Sequence, residues 1–395
     1  MQRKFSLRRT LIAVHKYAGL FAGVVIVVLG LTGSVSVYWR ELQEAFDERY
    51  VVHPGTQWAS YDAIMTSVNT SFPNRPKAWY LDFPWYPEGT LYAVYHEPEE
   101  RADEYEAPLY VAVDPYTAKV IGHYYWGDTP VSWLYNLHSH LNAGLFGLQV
   151  VGIFGIVFLF LALSGLYLWW PVGRFNRRHF MTSPRYGAAT FEFDLHRVGG
   201  FYAFLVLTVV AASGATIIYA EPIGRFVERI APMNTPLGGE GEHEHNVAAP
   251  QGARLSPDDA VAQARKLFPD ATVRGLFAPG DRSDAAYGVV LRQPGEIFTP
   301  HYPDTQVWVD RNDGAVLSVV DPMRQNASRR LMDVYYEFHN GEALGSFGRA
   351  LVCLAGFMPL LLFVTGLRQW LRIRRRVQAQ SASSSVNVTR SSQMS

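Results

Sequence analysis

Four apolar stretches, roughly 11–38, 145–170, 201–219 and 350–370, limit the folds open to this chain more than any other feature. Each supplies about the ~20 residues that carry an α-helix across a ~30 Å hydrocarbon core. Backbone amides find no water there, so such segments cross as helices, and four of them predict a helical membrane bundle. Among 395 residues there is one cysteine, Cys353. That excludes a Cys-x-x-Cys-His covalent haem site, a Cys-x-x-Cys thiol pair and a cysteine zinc cluster. Any metal chemistry must rest on histidine or carboxylate.

Zero net charge hides a division. Residues 39–137 and 221–346 hold 18 basic and 33 acidic residues, while the rest of the chain holds 17 and 2. The basic group includes Arg3, Lys4, Arg8, Arg9 and Lys16, then Arg174, Arg177, Arg178, Arg185 and Arg197, then Arg372, Arg374, Arg375 and Arg376. Short positive segments stay in the cytoplasm, so both termini and the middle loop are expected inside and the two acidic loops outside. In a Gram-negative cell, outside means periplasm. Span 1 has a basic start but is too long for the apolar part of a signal peptide, and it is expected to be retained.

The chain repeats itself. His15-x-x-x-Gly19 and Thr32-Gly33 recur 181 residues on as His196-x-x-x-Gly200 and Ser213-Gly214. Leu137-His138, Phe146-Gly147, Ser164-Gly165 and Trp169 recur 201 residues on as Phe338-His339, Phe347-Gly348, Thr365-Gly366 and Trp370. The expected fold class is therefore a four-helix membrane bundle built from two repeated hairpins. Each outer loop carries a strand-turn-strand pattern, at 110–120 and 307–316, and Ser256-Pro257-Asp258-Asp259 opens a capped amphipathic helix. Two α+β modules follow as the expectation. The predicted boundaries are span 1 within 1–38, module 1 at 39–137, span 2 at 138–170, a cytoplasmic loop at 171–196, span 3 at 197–220, module 2 at 221–338, span 4 at 339–372 and a disordered tail at 373–395.

Of 12 histidines, four stand at repeated positions. His15 and His196 fall near the inner face; His138 and His339 fall at the outer entry of spans 2 and 4. Ionisable groups near hydrocarbon usually face the bundle interior, and a pair of neutral imidazoles suits the two axial positions of a haem iron. Without an attachment motif the haem would be b-type, one at each face. A lone interfacial histidine usually only caps or snorkels; four at duplicated offsets ask for a shared ligand, although metal ions or proton relays would also use them. Lys16 and Arg197 are candidates for neutralising propionates or simply positive-inside anchors. His140 rivals His138. His53, His96, His123, His179 and His301 read as surface residues, and Gly241-Glu-His243-Glu-His245 as a solvated segment of a flexible linker at 238–252. Aromatic clusters at Trp79-Tyr80, Trp85-Tyr86, Tyr124-Tyr125-Trp126 and Trp133 are candidates for a docking site or for ordinary packing.

These motifs, with Trp169-Trp170, Asn340-Gly341 and a weaker segment near 256–320, resemble the PepSY-associated transmembrane family, which includes bacterial inner-membrane ferric-siderophore reductases. The resemblance covers nearly all of the chain except the tail. It implies a four-helix core with two haems b ligated by His15 with His196 and by His138 with His339, passing electrons from the cytoplasmic side to a periplasmic ferric-siderophore. No Gly-x-Gly-x-x-Gly turn follows a strand, and the inner loops are short, so the donor is expected to be a separate reductase or membrane quinol. No nucleic acid is expected among the partners. The alternative is a non-enzymatic anchor or regulator that binds a periplasmic protein. A transporter would call for ionisable residues or broken helices at mid-membrane; none is legible, and Pro359 is the one proline deep in a span.

Overall fold

The computed structural model describes residues 7–47, 50–235, 255–279, 286–296 and 304–392. The expected linker at 238–252 with His243 and His245, and His301, lie outside the described residues. The chain divides into two compact units, one of residues 1–34, 152–215 and 350–395, the other of 35–151 and 216–349.

The first unit is helical. Among the described residues four helical stretches are long and apolar enough to cross a membrane: Leu7–Ser36, Gly144–Trp169, Ala188–Ile218 and Glu342–Gln380. In chain order the helices before and through span 2 are α1 (Leu7–Ser36), α2 (Trp39–Phe46), α3 (Tyr61–Ser71), α4 (Pro130–His140) and α5 (Gly144–Trp169). Then come α6 (Ala188–Ile218), α7 (Ala220–Ile230), α8 (Pro257–Leu267), α9 (Ala327–Asp333), α10 (Tyr335–Asn340), α11 (Gly345–Ala355) and α12 (Met358–Ser392). Phe21, Ile153, Leu205 and Leu354 stay exposed on the protein, as side chains whose solvent is lipid should.

Span 4 is not the unbroken helix expected from its hydropathy. The Gly356 N–H bonds to Val352 O at 2.9 Å and the Phe357 N–H to Leu354 O at 3.2 Å, which skips the carbonyl of Cys353. Pro359 has no N–H to offer residue 355. The stranded Cys353 carbonyl is met from α1, where Ser34 Oγ donates at 2.8 Å. The backbones approach closely: a Cβ on Gly30 would lie 2.6 Å from Gly356 O, and one on Gly356 would lie 2.0 Å from Ser34 Oγ. Beyond the span, α12 continues to Ser392 where the tail is expected to lose structure. No Pro or Gly after Gly366 interrupts it.

The second unit is α+β. Its strands are β1 (Trp79–Asp82), β2 (Leu91–Tyr95), β3 (Leu109–Val113), β4 (Val120–Tyr125), β5 (Thr272–Ala278), β6 (Tyr287–Arg292), β7 (Thr305–Val309) and β8 (Val316–Val320). The expected strand-turn-strand units appear as β3/β4 and β7/β8, each turned by an aspartate. Asp114 Oδ1 accepts from Tyr116 N–H at 2.8 Å, and Asp310 Oδ1 from Asn312 N–H at 2.7 Å. Ser256 caps α8 in a reciprocal box with Asp259, as its sequence predicts.

The two modules, however, are not separate. All eight strands form one antiparallel sheet in the order β4-β3-β2-β1-β5-β6-β7-β8, joined where Trp79 to Asp82 pair with Ala278 to Gly275. Helices α3 and α8 cover one face, and Ile64, Val68, Ala260, Val261 and Ala264 enter the same core as Leu81, Leu91, Val111, Leu276, Val289 and Val307. Neither four-stranded half leaves its central edge open to water, since β1 and β5 satisfy each other.

The helical boundaries beside the outer histidines also differ from expectation. His138 lies near the end of α4, a helix separate from span 2, and His339 lies in α10, separate from span 4. The chain turns through left-handed backbone at Leu141 and Asn142 in one case and Gly341 in the other. Glycine is required just beyond each turn: a Cβ on Gly147 would sit 1.8 Å from His140 O, and one on Gly348 2.1 Å from Gly341 O. Similarly, α6 begins at Ala188, so His196 lies inside a helix rather than at its threshold.

Candidate functional site

In the helical unit, α1 and α6 bring His15 and His196 to the wall of one cavity of about 510 Å³. Gly19, Leu161, Phe204 and Phe363 also line it, with Arg8, Lys16 and Arg197 among its polar residues.

The imidazoles are fixed in matching ways. His15 Nδ1 lies 2.8 Å from Ser164 Oγ. That hydroxyl gives its own hydrogen to Leu161 O at 3.2 Å, so it accepts from the ring. His196 Nδ1 lies 2.9 Å from Leu362 O, which can only accept, and 3.1 Å from Thr365 Oγ1, whose hydrogen goes to Leu361 O at 2.7 Å. This network assigns the proton to Nδ1 in both rings and leaves Nε2 as the nitrogen with a lone pair. A Cβ on Gly165 would lie 3.4 Å from His15 Cε1, and one on Gly366 3.4 Å from His196 Cε1, so glycine gives each ring room against the helix it contacts.

Of the cavity's cations, Arg8 donates to Leu168 O at 2.7 Å and to Trp170 O at 3.3 Å, closing the C-terminal end of α5. Arg197 pairs with Asp194 at 3.0 Å and donates to the carbonyls of Arg178 and His179. Both guanidiniums therefore brace local backbone. Lys16 lies 4.1 Å over the Tyr17 ring.

In the α+β unit, α4 and α10 bring His138 and His339 together, ring centroids 5.9 Å apart and planes tilted by 35°. One turn earlier on each helix, Tyr135 and Tyr336 meet hydroxyl to hydroxyl at 3.1 Å. That tyrosine pair is absent from the sequence-based expectations although its spacing is the same 201 residues. His140 is 4% exposed, both of its ring nitrogens lack hydrogen-bond partners, and its ring packs edge-on against Tyr105 at 5.2 Å. Burial lowers its proton affinity, opposed by the nearby Glu106 carboxylate. Its ring partner is Tyr105, whereas the rings of His138 and His339 meet each other.

Among the described residues no group of three or more His, Cys, Asp or Glu is arranged to hold a metal ion.

The aromatic clusters divide. Trp79 is core packing beneath α3, against Phe72 and Tyr95. Trp85 stacks on Arg40, a buried guanidinium that also bonds Asp82 at 2.9 Å. Trp126 reaches the outer pair: its ring meets Tyr135 edge-on at 5.2 Å, and its Nε1 donates to Asn136 Oδ1 at 2.8 Å. Trp133 is exposed. Of the histidines expected at the surface, His53, His96 and His123 are exposed, whereas His179 has a structural part, its carbonyl accepting from Trp169 Nε1.

Comparison with curated proteins gives no match. The family model described as the PepSY-associated TM region matches residues 12–372, from the first span through the fourth and across both pairs of histidines. With four membrane-crossing helices and an antiparallel sheet in the intervening loops, the chain belongs to the PepSY-associated transmembrane family.

Proposed function

We propose that this protein is a di-haem b reductase of the bacterial inner membrane. In this reading His15 and His196 hold one haem and His138 and His339 the other, and the protein delivers electrons from the cytoplasmic side to a periplasmic ferric-siderophore. Four residues distant in sequence are brought together two by two, His15 and His196 on the wall of one cavity and His138 and His339 ring beside ring, and this is the observation that carries the reading. The contacts of His15 with Ser164-Gly165 and of His196 with Thr365-Gly366 also support a duplicated hairpin.

The residues fit such a group. Nδ1 anchored to a hydroxyl or carbonyl is the usual outer support of a metal-bound histidine; it fixes the ring and raises the basicity of Nε2. The inner cavity falls within the ~300–1,000 Å³ range of small-molecule sites and is mostly apolar. For the outer pair, the His138 and His339 rings lie next to each other, centroids 5.9 Å apart, and these two imidazoles would hold the second group. When bound, each haem supplies a one-electron couple tuned by its ligands and their burial. The chain's own residues orient the ligands, exclude water with aliphatic and aromatic walls, and place cations Arg8, Lys16 and Arg197 at the inner cavity. No acid, base or nucleophile is needed to release iron from a hard-oxygen chelate, because Fe(II) binds such ligands more weakly than Fe(III). Acidic outer loops and basic inner segments support an orientation with both termini in the cytoplasm. The electron donor is a separate cytoplasmic reductase or quinol.

The test is an absorption spectrum of the purified protein before and after dithionite, with haem counted per chain. Two haems are expected. Alanine at His15 or His196 should remove one and alanine at His138 or His339 the other. A colourless preparation active in iron uptake would overturn the reading and favour the non-enzymatic anchor.

A further inference from the structure

Helix α10 has six residues, too few to set its own direction through backbone bonds alone. Its orientation depends on what it touches. Tyr336 and His339 are three residues apart on α10, as Tyr135 and His138 are on α4, and such a spacing puts both side chains on one helix face. The two helices therefore meet at two points. The phenol hydroxyls touch at 3.1 Å and the imidazole rings face at 5.9 Å.

One side of this contact is rigidly held. Trp126 packs on Tyr135, is tied to α4 through Asn136, and lies 5.2 Å from Tyr110 of β3. Trp39 closes on Trp126 edge-on at 5.1 Å. Tyr135 is thus referenced to the sheet, and Tyr336 is referenced to Tyr135. Burial raises the proton affinity of both phenols, so they remain O–H groups at neutral pH, one donating and one accepting.

We propose that the Tyr135–Tyr336 hydroxyl contact is a positioning clamp that sets the separation and tilt of the His138 and His339 rings. The tyrosines are positioning residues; they act on the ligand site through the helices they join. The proposal rests on the haem reading above and adds what holds the outer ligands in place. A ligand pair works only when held within about 0.5 Å and 10–20° of its productive geometry. A hydrogen bond one turn away supplies that restraint because it weakens steeply once distance or angle departs from the optimum.

The experiment uses the full chain in detergent or nanodiscs, with Tyr135→Phe, Tyr336→Phe and the double variant. Phenylalanine keeps the ring and its packing and removes only the hydroxyl. Three quantities are read: haems per chain, the electron-paramagnetic-resonance signal of each haem, and the rate of haem loss to an apo-globin acceptor. The inner haem, held by residues far from the substitution in sequence, reports folding in the same sample. Each single variant should shift the outer signal and speed outer haem loss about fivefold, the equivalent of one hydrogen bond of ~1 kcal/mol. The inner signal should not move, and the double variant should match the singles because either change breaks the same bond. Two haems in the wild type with unchanged outer signals in all variants would overturn the clamp and leave the haem reading intact. Equal disturbance of both haems, or additive effects of the two changes, would also overturn it. A wild type without an outer haem would overturn both.

Discussion

Ser164 is the hydrogen-bond partner found for His15 Nδ1, whereas His196 Nδ1 has both Leu362 O and Thr365 Oγ1. Losing a supporting partner of a metal-bound histidine costs 10–100-fold in affinity or activity as an order of magnitude. On the proposed haem reading, Ser164→Ala should therefore weaken inner haem retention by roughly tenfold, and Thr365→Ala by less, since a backbone carbonyl cannot be mutated away. Haem transfer rates to an acceptor protein measure the difference; equal effects would contradict the asymmetry. A separate residue-scale prediction concerns Glu100. Hydrogen bonds from Arg75, with Tyr125 Oη donating at 2.5 Å, hold its carboxyl down at about 2 from an ordinary 4.5. Because the folded value lies below the unfolded one, the stabilisation is present above pH 4.5 and is lost as pH falls toward 2. Glu100 is 40% exposed, so screening limits the effect to under ~1 kcal/mol. Melting curves of Glu100→Gln across that pH window should lack this part of the acid destabilisation. At this scale the ligand candidates are legible in sequence because histidine is rare and its offsets repeat. Tyr135 and Tyr336 repeat as faithfully, but among 22 tyrosines their spacing carries little signal until the structure shows the hydroxyls touching.

At the scale of elements, the break in span 4 depends on α1 for its missing donor. Ser34→Ala leaves the Cys353 carbonyl without that bond inside a region with no water, and interhelical hydrogen bonds in membranes are worth about 0.6 kcal/mol on average, up to ~1.7. Gly356→Ala should cost more, because its new Cβ would fall 2.0 Å from Ser34 Oγ. Unfolding in mixed detergent should rank wild type above Ser34→Ala and Ser34→Ala above Gly356→Ala. The spans themselves were legible from twenty-residue hydropathy, and α8 from its Ser-Pro-Asp-Asp start. The interruption at Gly356-Phe357 had one sequence signal, Pro359, since apolar composition is the same on both sides of it. The turns after His138 and His339 were hidden for a related reason: Leu141 and Asn142 adopt left-handed backbone, and Leu141 gives no sequence warning of it.

For the whole molecule, one sheet in place of two modules means that the halves should not unfold independently. Leu276 in β5 is fully buried and shares a core with Leu81 of β1 and Val111 of β3. Leu276→Ala should cost ~2–5 kcal/mol, and proteolysis under denaturant should expose sites in residues 79–125 as readily as in 272–320. Preferential cleavage of the second half would show that the halves are separable. The strand-turn-strand units were legible from local pattern, whereas the β1–β5 junction joins segments too far apart for any local signal to reveal. The proposed orientation is testable on the same scale. In a Cys353→Ser background, cysteine at Asp103 should react with an impermeant maleimide on intact spheroplasts, and cysteine at Arg185 only after lysis.

The junction has a further consequence for biogenesis. Strand β1 ends at Asp82 and its partner β5 begins at Thr272, so a growing chain must deliver two further apolar spans before the first half finds its neighbour. Throughout that interval a nascent four-stranded edge is unpaired and sticky. A ribosome stalled after span 3 would release a product primed to aggregate, and the cell must shelter that edge or finish the chain quickly.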